Sequence, residues 1–322
     1  MISDTHLLGP FRGHWFDKLR REWQMWRSFQ TSLTLLSPDV TFFLGDIFDE
    51  GQWSNEKGFE RYISRFDELF RVSKNTERYV VVGNHDIGFH DYIHPQRESW
   101  FGKTYPNSTP VGVIELKNEI FVLVNSMAMH GDYCRLCHMA EMEIKKISNK
   151  LKSGIKQPRV SNGKEFIKKQ KQPTVLMHFP LYRNNDMNCE GGNELNDFDT
   201  RKSEMFREKW DCLSKNATQF IIDRLNPKVV FSGHTHYGCK IKYDTFTEYT
   251  VASFSWRNNP MPSFLLVVYD NDNVKVNICF IPHENIIIFT YIISVLLIVI
   301  CLFYVYYKRN FVNPNFSNVK YD

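Results

Sequence analysis

Hydrophobic and polar positions alternate first with a helical and then with a strand-like period along the chain. Apolar residues at steps of three and four in residues 17–36, and again in 59–70, predict two amphipathic helices. Short apolar runs predict strands. The first six runs are 40–44, 79–82, 111–116, 120–124, 174–177 and 229–231, and three more follow at 249–252, 264–269 and 274–280.

This order of elements predicts the fold class. Strands alternate with helices at first and then follow one another, which is typical of a layered α/β sandwich of two mixed β-sheets flanked by helices. We expect a folded domain over residues 1–282, a membrane segment with its flanks over 283–309, and a short tail over 310–322.

The strongest local pattern is an uncharged apolar run over residues 286–307. Its 22 residues can cross a bilayer as a helix. Tyrosines crowd its end, and Lys308 and Arg309 follow at once, as at a membrane interface. Uncharged runs of this length are rare in soluble cores, so the sequence predicts a membrane anchor.

The orientation of this anchor has two readings. The basic pair after the span and Glu284 before it favour a cytosolic C-terminus and a lumenal domain. Glycosylation triplets at Asn107 and Asn216 agree with that placement. Without a signal peptide in this sequence, the alternative is a tail-anchored cytosolic domain. Because only three residues precede Asp4, we also expect a shortened first strand.

Composition excludes several classes of protein. The chain has 322 residues, 24% of them charged and 43% hydrophobic, which rules out a disordered chain or a coiled coil. A net charge of +4 supplies no broad basic face, so we expect no nucleic-acid partner.

Side chains that can bind metals follow five of the predicted strands or strand-like segments. Each short motif alone is weak, since Gly-Asp and Gly-Asn are ordinary turn formers. Together they place many ligand types at the carboxyl ends of strands, where open α/β sheets build their sites. The seven candidates are Asp4, His6, Asp46, Asn84, His178, His234 and His236, and a separate pair is His85 with Asp49.

The chemistry of this set predicts a dinuclear metal site. Mixed imidazole and carboxylate ligands suit manganese, iron or zinc better than calcium or magnesium. Seven ligands exceed the need of one ion with an open position, so we expect two divalent ions, bridged by a carboxylate. Two such charges favour in-line hydrolysis at phosphorus.

The motif order Asp-x-His, Gly-Asp-x-x-Asp, Gly-Asn-His-Asp, His, Gly-His-x-His resembles the calcineurin-like metallophosphoesterase superfamily over nearly all of residues 1–282. Segments 13–30, 44–51, 83–90, 178–183, 232–236 and 253–264 are similar to the members that remodel the GPI glycan. That resemblance implies a metal-dependent phosphodiesterase, with manganese as the favoured metal and zinc or iron as alternatives.

The resemblance also implies a role for each residue. The first metal would be held by Asp4, His6 and His236 and the second by Asn84, His178 and His234, with Asp46 bridging them. His85 would be the general acid, and the carboxylate of Asp49 would orient it. Asp86 and Glu50 would shape their loops.

The substrate implied by the resemblance is a GPI anchor, from whose second mannose the enzyme removes an ethanolamine-phosphate side branch. The activity would promote export of GPI-anchored proteins from the ER, with those proteins, the bilayer and export receptors as partners. The enzyme would then lie in the early secretory pathway (ER exit sites, ER–Golgi intermediate compartment and Golgi), with a lumenal catalytic domain. Glu50 stands where protein phosphatases carry an Arg, which favours a monoanionic diester over a phosphomonoester dianion.

Two rival functions remain open from the sequence. One is a membrane-anchored protein or nucleotide phosphatase, and the other is a non-catalytic scaffold with the same fold. Residues 253–259 could rim the site and stack on sugar rings, or simply pack. A disulfide-bonded loop is favoured at Cys134 and Cys137, over a haem or zinc site. Cys189, Cys212, Cys239 and Cys279 are other possible partners, and the pairing cannot be deduced.

Overall fold

The computed structural model of the protein describes residues 1–153, 159–161, 164–166, 171–190, 200–270 and 273–312. The chain forms two compact units, Met1–Ile281 and Pro282–Asp322. Most of the predicted tail, residues 313–322, lies outside the described residues.

The described part of the chain contains seven α-helices and twelve strands. The helices are α1 (Trp15–Leu36), α2 (Glu56–Leu69), α3 (Asn84–Ile87), α4 (Pro95–Thr104), α5 (Arg135–Ser153), α6 (Lys215–Leu225) and α7 (Glu284–Tyr307). The strands are β1 (Val40–Leu44), β2 (Glu77–Val81), β3 (Val111–Leu116), β4 (Glu119–Val124), β5 (Arg159–Ser161), β6 (Lys164–Phe166), β7 (Thr174–Met177), β8 (Val229–Ser232), β9 (Cys239–Lys242), β10 (Thr247–Thr250), β11 (Ser263–Asp270) and β12 (Asn273–Phe280).

Six strands form one mixed sheet in the order β3-β4-β7-β8-β10-β9. Its four central strands, β4, β7, β8 and β10, run parallel, and each edge strand is antiparallel to its neighbour. Parallel strands point their carboxyl ends to the same edge of the sheet, and this gathers the loops that follow them.

The second sheet combines the parallel pair β1-β2 with the antiparallel pair β11-β12. Residues 1–3 lie between the two pairs. The N–H of Ile2 donates to the carbonyl of Phe42 over 2.9 Å, while Met1 and Leu265 exchange two backbone hydrogen bonds of 2.8 and 3.0 Å. The first residues of the chain therefore occupy a strand position directly before Asp4.

An apolar layer fills the space between the two sheets. Phe42 of β1 and Phe121 of β4 are both buried, and their ring centroids lie 4.8 Å apart. Leu176, Phe231 and Leu265 belong to the same buried cluster. The predicted α/β sandwich of two mixed sheets with flanking helices is confirmed.

The two amphipathic helices differ in which face meets the core. Helix α2 buries Phe59 and Phe66, both on the apolar stripe seen in the sequence. Helix α1 instead buries Gln24, Met25 and Phe29. Four residues of its predicted apolar stripe are exposed: Leu19 by 61%, Trp23 by 41%, Trp26 by 40% and Leu36 by 39%.

Helix α7 is long and apolar enough to cross a membrane. The span by length and composition is Glu284–Phe311, with a mean hydropathy of 3.1. Its two small hydroxyls donate to the helix backbone, Thr290 to Ile286 and Ser294 to Thr290, each over 2.7 Å. No polar group of these two side chains is left unpaired in an apolar environment.

Candidate metal centre

Six of the predicted ligand residues lie on loops at one edge of the sandwich, and the seventh, Asn84, is the first residue of α3. Asp4 follows the bridged residues 1–3, and Asp46 and Asn84 follow β1 and β2. His178 follows β7, and Gly233 leads from β8 to His234. Parallel strands bring these loops together, so the sequence-predicted residues meet in space as expected from strand order.

Asp4, His6 and His236 form the first group, and all three carry a potential ligand atom within 4.8 Å of the others. The Nε2 atoms of His6 and His236 lie 3.2 Å apart. Asp4 Oδ1 lies 3.8 Å from His6 Nε2 and 3.7 Å from His236 Nε2. Ligand atoms that share one ion are roughly 3 Å apart or slightly more, so this spacing fits a metal site.

Asp46, His178 and His234 form the second group. His178 Nε2 lies 3.1 Å from Asn84 Oδ1 and 3.2 Å from His234 Nδ1. The remaining ring nitrogens are held by backbone carbonyls, His178 Nδ1 by Leu44 and His234 Nε2 by Trp210, each over 2.7 Å. Such contacts fix the ring orientation of a metal-binding histidine.

Asp46 lies between the two groups. Its Oδ2 is 3.6 Å from His6 Nε2 and 3.2 Å from His178 Nε2. Its Oδ1 accepts a hydrogen bond of 2.8 Å from the backbone N–H of His85. One carboxylate oxygen therefore faces both candidate metal positions.

The backbone at these positions is strained. Five of the ligand candidates have a positive φ: Asp4 (54°), His6 (43°), Asp46 (50°), His234 (75°) and His236 (67°). Non-glycine residues adopt this left-handed region at a cost of about 1–3 kcal/mol each, and such residues cluster at functional sites. Glycine permits the close approach of the loops, since a Cβ on Gly83 would lie 2.2 Å from the Asp46 amide nitrogen.

The electrostatics of the centre favour a cation. Burial opposes charge on His6 and His178, but the surrounding carboxylates outweigh it and raise the pKa of His6 to about 10 and that of His178 to about 9. Asp4 Oδ1 is buried with no hydrogen-bond partner among the described residues. A largely buried cluster of carboxylates and imidazoles with an unpaired carboxylate oxygen fits a divalent ion chemically.

His85 and Asp49 also meet, and the shorter contact of the His85 ring is with the Asp49 backbone rather than with the carboxylate that the resemblance implied. His85 Nδ1 donates to the backbone carbonyl of Asp49 over 2.8 Å, whereas it lies 3.7 Å from the Oδ1 atom. That Oδ1 atom is 3.2 Å from His6 Nδ1. Asp49 thus orients His85 through its backbone and orients His6 through its carboxylate.

Arg257 belongs to the site, and the sequence indicated it only as a member of the segment 253–259, with no role of its own. Its guanidinium forms an ion pair with the Oδ2 atom of Asp49. Position 50 lacks an Arg, yet a guanidinium reaches Asp49 from a loop some two hundred residues further along the chain. The segment 253–264 contains this Arg, but nothing in its local sequence indicates the partner.

The loop that carries Arg257 hydrogen-bonds to the backbone of two ligand residues. Its aromatic rings are buried and not available for stacking. Ser253 Oγ donates to the carbonyl of Asp4 over 2.7 Å, and Asn259 Nδ2 donates to that of His236 over 3.0 Å. Phe254 is fully buried and Trp256 is only 7% exposed. Neither ring presents a face to a sugar, so packing is the correct reading of this loop.

Glu50 and Asp86 bind backbone amides, in agreement with a loop-shaping role. The Glu50 carboxylate accepts hydrogen bonds from the N–H groups of Phe11 and Arg12, over 3.1 and 2.5 Å. Asp86 accepts from those of Phe48 and Gly83, over 2.9 and 2.8 Å. Glu50 thereby ties the loop that precedes α1 to the residue that follows Asp49.

Two disulfides resolve the cysteine pairing that the sequence left open. Cys134 pairs with Cys137, and Cys189 pairs with Cys239. The other three cysteines, Cys212, Cys279 and Cys301, are not in disulfides.

Comparison with known proteins gives consistent matches over the folded unit. The family model for calcineurin-like phosphoesterases matches residues 1–238. Metallophosphoesterase 1 homolog of Caenorhabditis elegans is 47% identical over 315 residues, covering 96% of this chain and 80% of that protein. Metallophosphoesterase 1 of Danio rerio is 41% identical over 306 residues, covering 92% of this chain and 78% of that protein.

A solved structure shares the fold. The crystal structure of a dimetal phosphatase from Danio rerio superposes with a TM-score of 0.52 at 13% sequence identity, covering 88% of this chain and 98% of that one. At this level of identity the similarity concerns the fold alone.

Proposed function

Because the chain belongs to the calcineurin-like phosphoesterase family and is a metal-dependent phosphoesterase, we propose that it is a dinuclear phosphodiesterase that acts on GPI anchors. One observation carries the dinuclear assignment. A single oxygen of Asp46 faces His6 on one side and His178 on the other, so two ligand groups share one carboxylate. Asp4, His6 and His236 would hold the first ion, and Asn84, His178 and His234 the second.

The two ions, manganese by preference, would supply the positive charge that stabilises a phosphoryl group and makes an attacking water more acidic. Asp46 supplies the negative charge shared by the two positions, and Asp49 keeps the His6 ring in place. The surrounding strands and the buried loop 253–259 hold these side chains in fixed positions.

His85 is the general acid of the proposal. Its Nδ1–H donates to the Asp49 carbonyl, which leaves Nε2 to give a proton to the departing oxygen. The side chain is 26% exposed, so a substrate can reach it. In the reaction the bond from phosphorus to the mannose oxygen breaks and a bond from phosphorus to the water oxygen forms. His85 gives its proton to the mannose oxygen, and the water releases one proton to the solvent.

The GPI substrate rests on the motif resemblance and on helix α7. A lipid-linked glycan and a membrane-anchored enzyme share one surface, which raises their effective concentration. The missing Arg at position 50 supports a diester less strongly than the sequence suggested, since Arg257 places a guanidinium beside Asp49. The assay below therefore compares a diester with a monoester.

A lumenal placement in the early secretory pathway is part of the proposal. The two disulfides suit an oxidising compartment. The glycosylation acceptors Asn107 and Asn216 both have exposed side chains. GPI-anchored proteins would be the substrates, and export receptors would be further partners.

The test is hydrolysis by the full chain in detergent of a GPI glycan bearing ethanolamine phosphate, with and without manganese. A phosphomonoester is assayed in parallel. We expect metal-dependent release of ethanolamine phosphate, lost in His85→Ala and kept in His138→Ala, an exposed histidine of α5. Faster hydrolysis of the monoester than of the glycan would favour the phosphatase alternative and overturn the GPI assignment.

A further inference from the structure

Helix α1 carries an exposed apolar face that the proposed chemistry does not use. Trp15, Leu19, Trp23 and Trp26 follow one another at steps of four, four and three, with Phe16 beside Trp15, so they share one face of the helix. Trp15 is 68% exposed, Leu19 61% and Phe16 52%. We call these five residues the tryptophan stripe.

The stripe does not lie on a frayed or loosely held helix. Helix α1 is fixed from its opposite side, where Gln24 is buried and its amide donates to the carbonyl of Phe254 over 3.1 Å. Met25 and Phe29 pack into the main core. The exposed rings therefore stand on a helix that is firmly held, and exposing three tryptophans requires a reason.

The residues around the stripe carry positive charge. Residues 10–27 contain five Lys or Arg side chains and two acidic ones. Both acids are engaged in ion pairs, Asp17 with Arg20 over 2.9 Å and Glu22 with Arg65. Exposed Arg27 lies one position beyond Trp26. Tryptophan rings flanked by basic side chains are the pattern of a helix that lies in a membrane interface.

The stripe is also linked to the metal centre by a short path. Phe11, which is 74% exposed, and Arg12 lie just before α1, and their backbone N–H groups bind Glu50 next to Asp49. On its inner side α1 binds the loop that carries Arg257, through Gln24. A surface that holds the stripe would thus also hold the rim of the site.

We propose that the tryptophan stripe docks the catalytic unit onto the lipid surface, with the rings in the headgroup region and the neighbouring cations on anionic lipid. Helix α7 already implies that this unit works beside a bilayer, and the stripe adds a second, peripheral contact. The inference rests on the membrane attachment within the proposed function and not on the identity of the substrate.

Tryptophan fluorescence tests the proposal in the full chain reconstituted into vesicles. All seven tryptophans lie within Met1–Ile281 and none in α7, so the signal reports on the catalytic unit alone. Vesicles contain phosphatidylcholine, with or without phosphatidylserine, and a phosphatidylcholine brominated in its upper acyl chain serves as quencher. We expect quenching that increases with phosphatidylserine and decreases with added salt.

Two matched variants isolate the stripe. Leu19→Glu places a charge on the stripe, whereas Leu35→Glu places one on the same helix at a residue that is 76% exposed and outside the stripe. We expect Leu19→Glu to lower the quenching at least about twofold and Leu35→Glu to leave it unchanged. Trp15→Phe/Trp23→Phe/Trp26→Phe should remove most of the quenched signal.

Two results would overturn the proposal. One is equal quenching of wild type, Leu19→Glu and Leu35→Glu in inserted, folded protein. The other is a dimer in detergent that Leu19→Glu dissociates, which would assign the stripe to a second copy of the chain. Hydrolysis of a soluble diester, measured on the same samples, separates a failure of docking from a failure of the proposed function.

Discussion

Folded proteins bury apolar side chains and expose polar ones, and the metal centre and the tryptophan stripe depart from this rule in opposite ways. The centre buries carboxylates and imidazoles, including Asp4, Asp46 and His178, where apolar side chains would stabilise the fold. The stripe exposes tryptophans at surface positions where polar side chains would be better solvated. Departures from apolar-inside patterning are expected at functional sites, and both departures here are held rigidly by the surrounding structure.

The difference between the two regions lies in what compensates them. Inside the centre, Asp49 Oδ2 forms an ion pair with Arg257, whereas the buried Asp4 Oδ1 has no hydrogen-bond partner among the described residues and belongs to the first ligand group. On the stripe the three tryptophans remain 40–68% exposed among the described residues. We therefore expect the centre to bind a cation and the stripe to bind a lipid surface. Each expectation can be tested by changing one side chain at a time.

The largest effect is expected at the centre itself. His85→Ala removes the proton donor while its neighbours keep their contacts, so hydrolysis of a diester should fall by about 10²–10⁴-fold. A leaving group that needs no proton, such as nitrophenolate, should be affected much less. Equal losses for good and poor leaving groups would contradict the general-acid role.

The next largest effect is expected from creating a cavity on the buried face of α1. Met25→Ala truncates a side chain that is 1% exposed on α1, and it should lower the free energy of unfolding by about 2–5 kcal/mol. Urea unfolding of the full chain in detergent measures this loss. A loss below that of an ordinary surface substitution would mean that α1 is not anchored through its Met25 face.

Asp49→Asn tests the support of the first metal position. The change weakens the contact with His6 Nδ1, so the affinity of the first position for manganese should fall by about 10–100-fold. The His85 contact uses the Asp49 backbone carbonyl and should persist. Metal titration with the matched Asp39→Asn variant, whose carboxylate is exposed, gives the control.

The smallest effect is expected on the stripe. Leu19→Ala should change the free energy of unfolding by less than about 0.5 kcal/mol, because the side chain has little packing to lose. A loss comparable to that of Met25→Ala would show that Leu19 is buried in the folded protein. It would contradict the contrast between a buried metal centre and an exposed stripe. The same urea experiment measures both variants.

Much of the site could be predicted because its residues follow local signals. Asp46, Asn84, His178 and His234 each follow a short apolar run within three residues, and parallel strands then determine that they meet. Strand order is therefore sufficient to find most of the centre.

Long-range partners could not be predicted. Arg257 reaches Asp49 only through the folding of a loop whose own sequence carries no trace of that contact. His85 Nδ1 is about one ångström closer to the backbone carbonyl of Asp49 than to its carboxylate. A sequence pattern does not resolve so small a difference. For α1, periodicity reveals the helix, but both of its faces carry large apolar residues, so the pattern does not determine which one meets the core.

The central claim is that two ions share Asp46, and metal stoichiometry measured together with turnover tests it most directly. Manganese is titrated into chelator-treated full-chain protein in detergent, with bound metal and hydrolysis of a soluble diester recorded at each step. The account predicts two ions per chain, activity that appears with the second, and fewer than two in Asp46→Asn. Full activity with one ion bound, or an unchanged stoichiometry in Asp46→Asn, would contradict it.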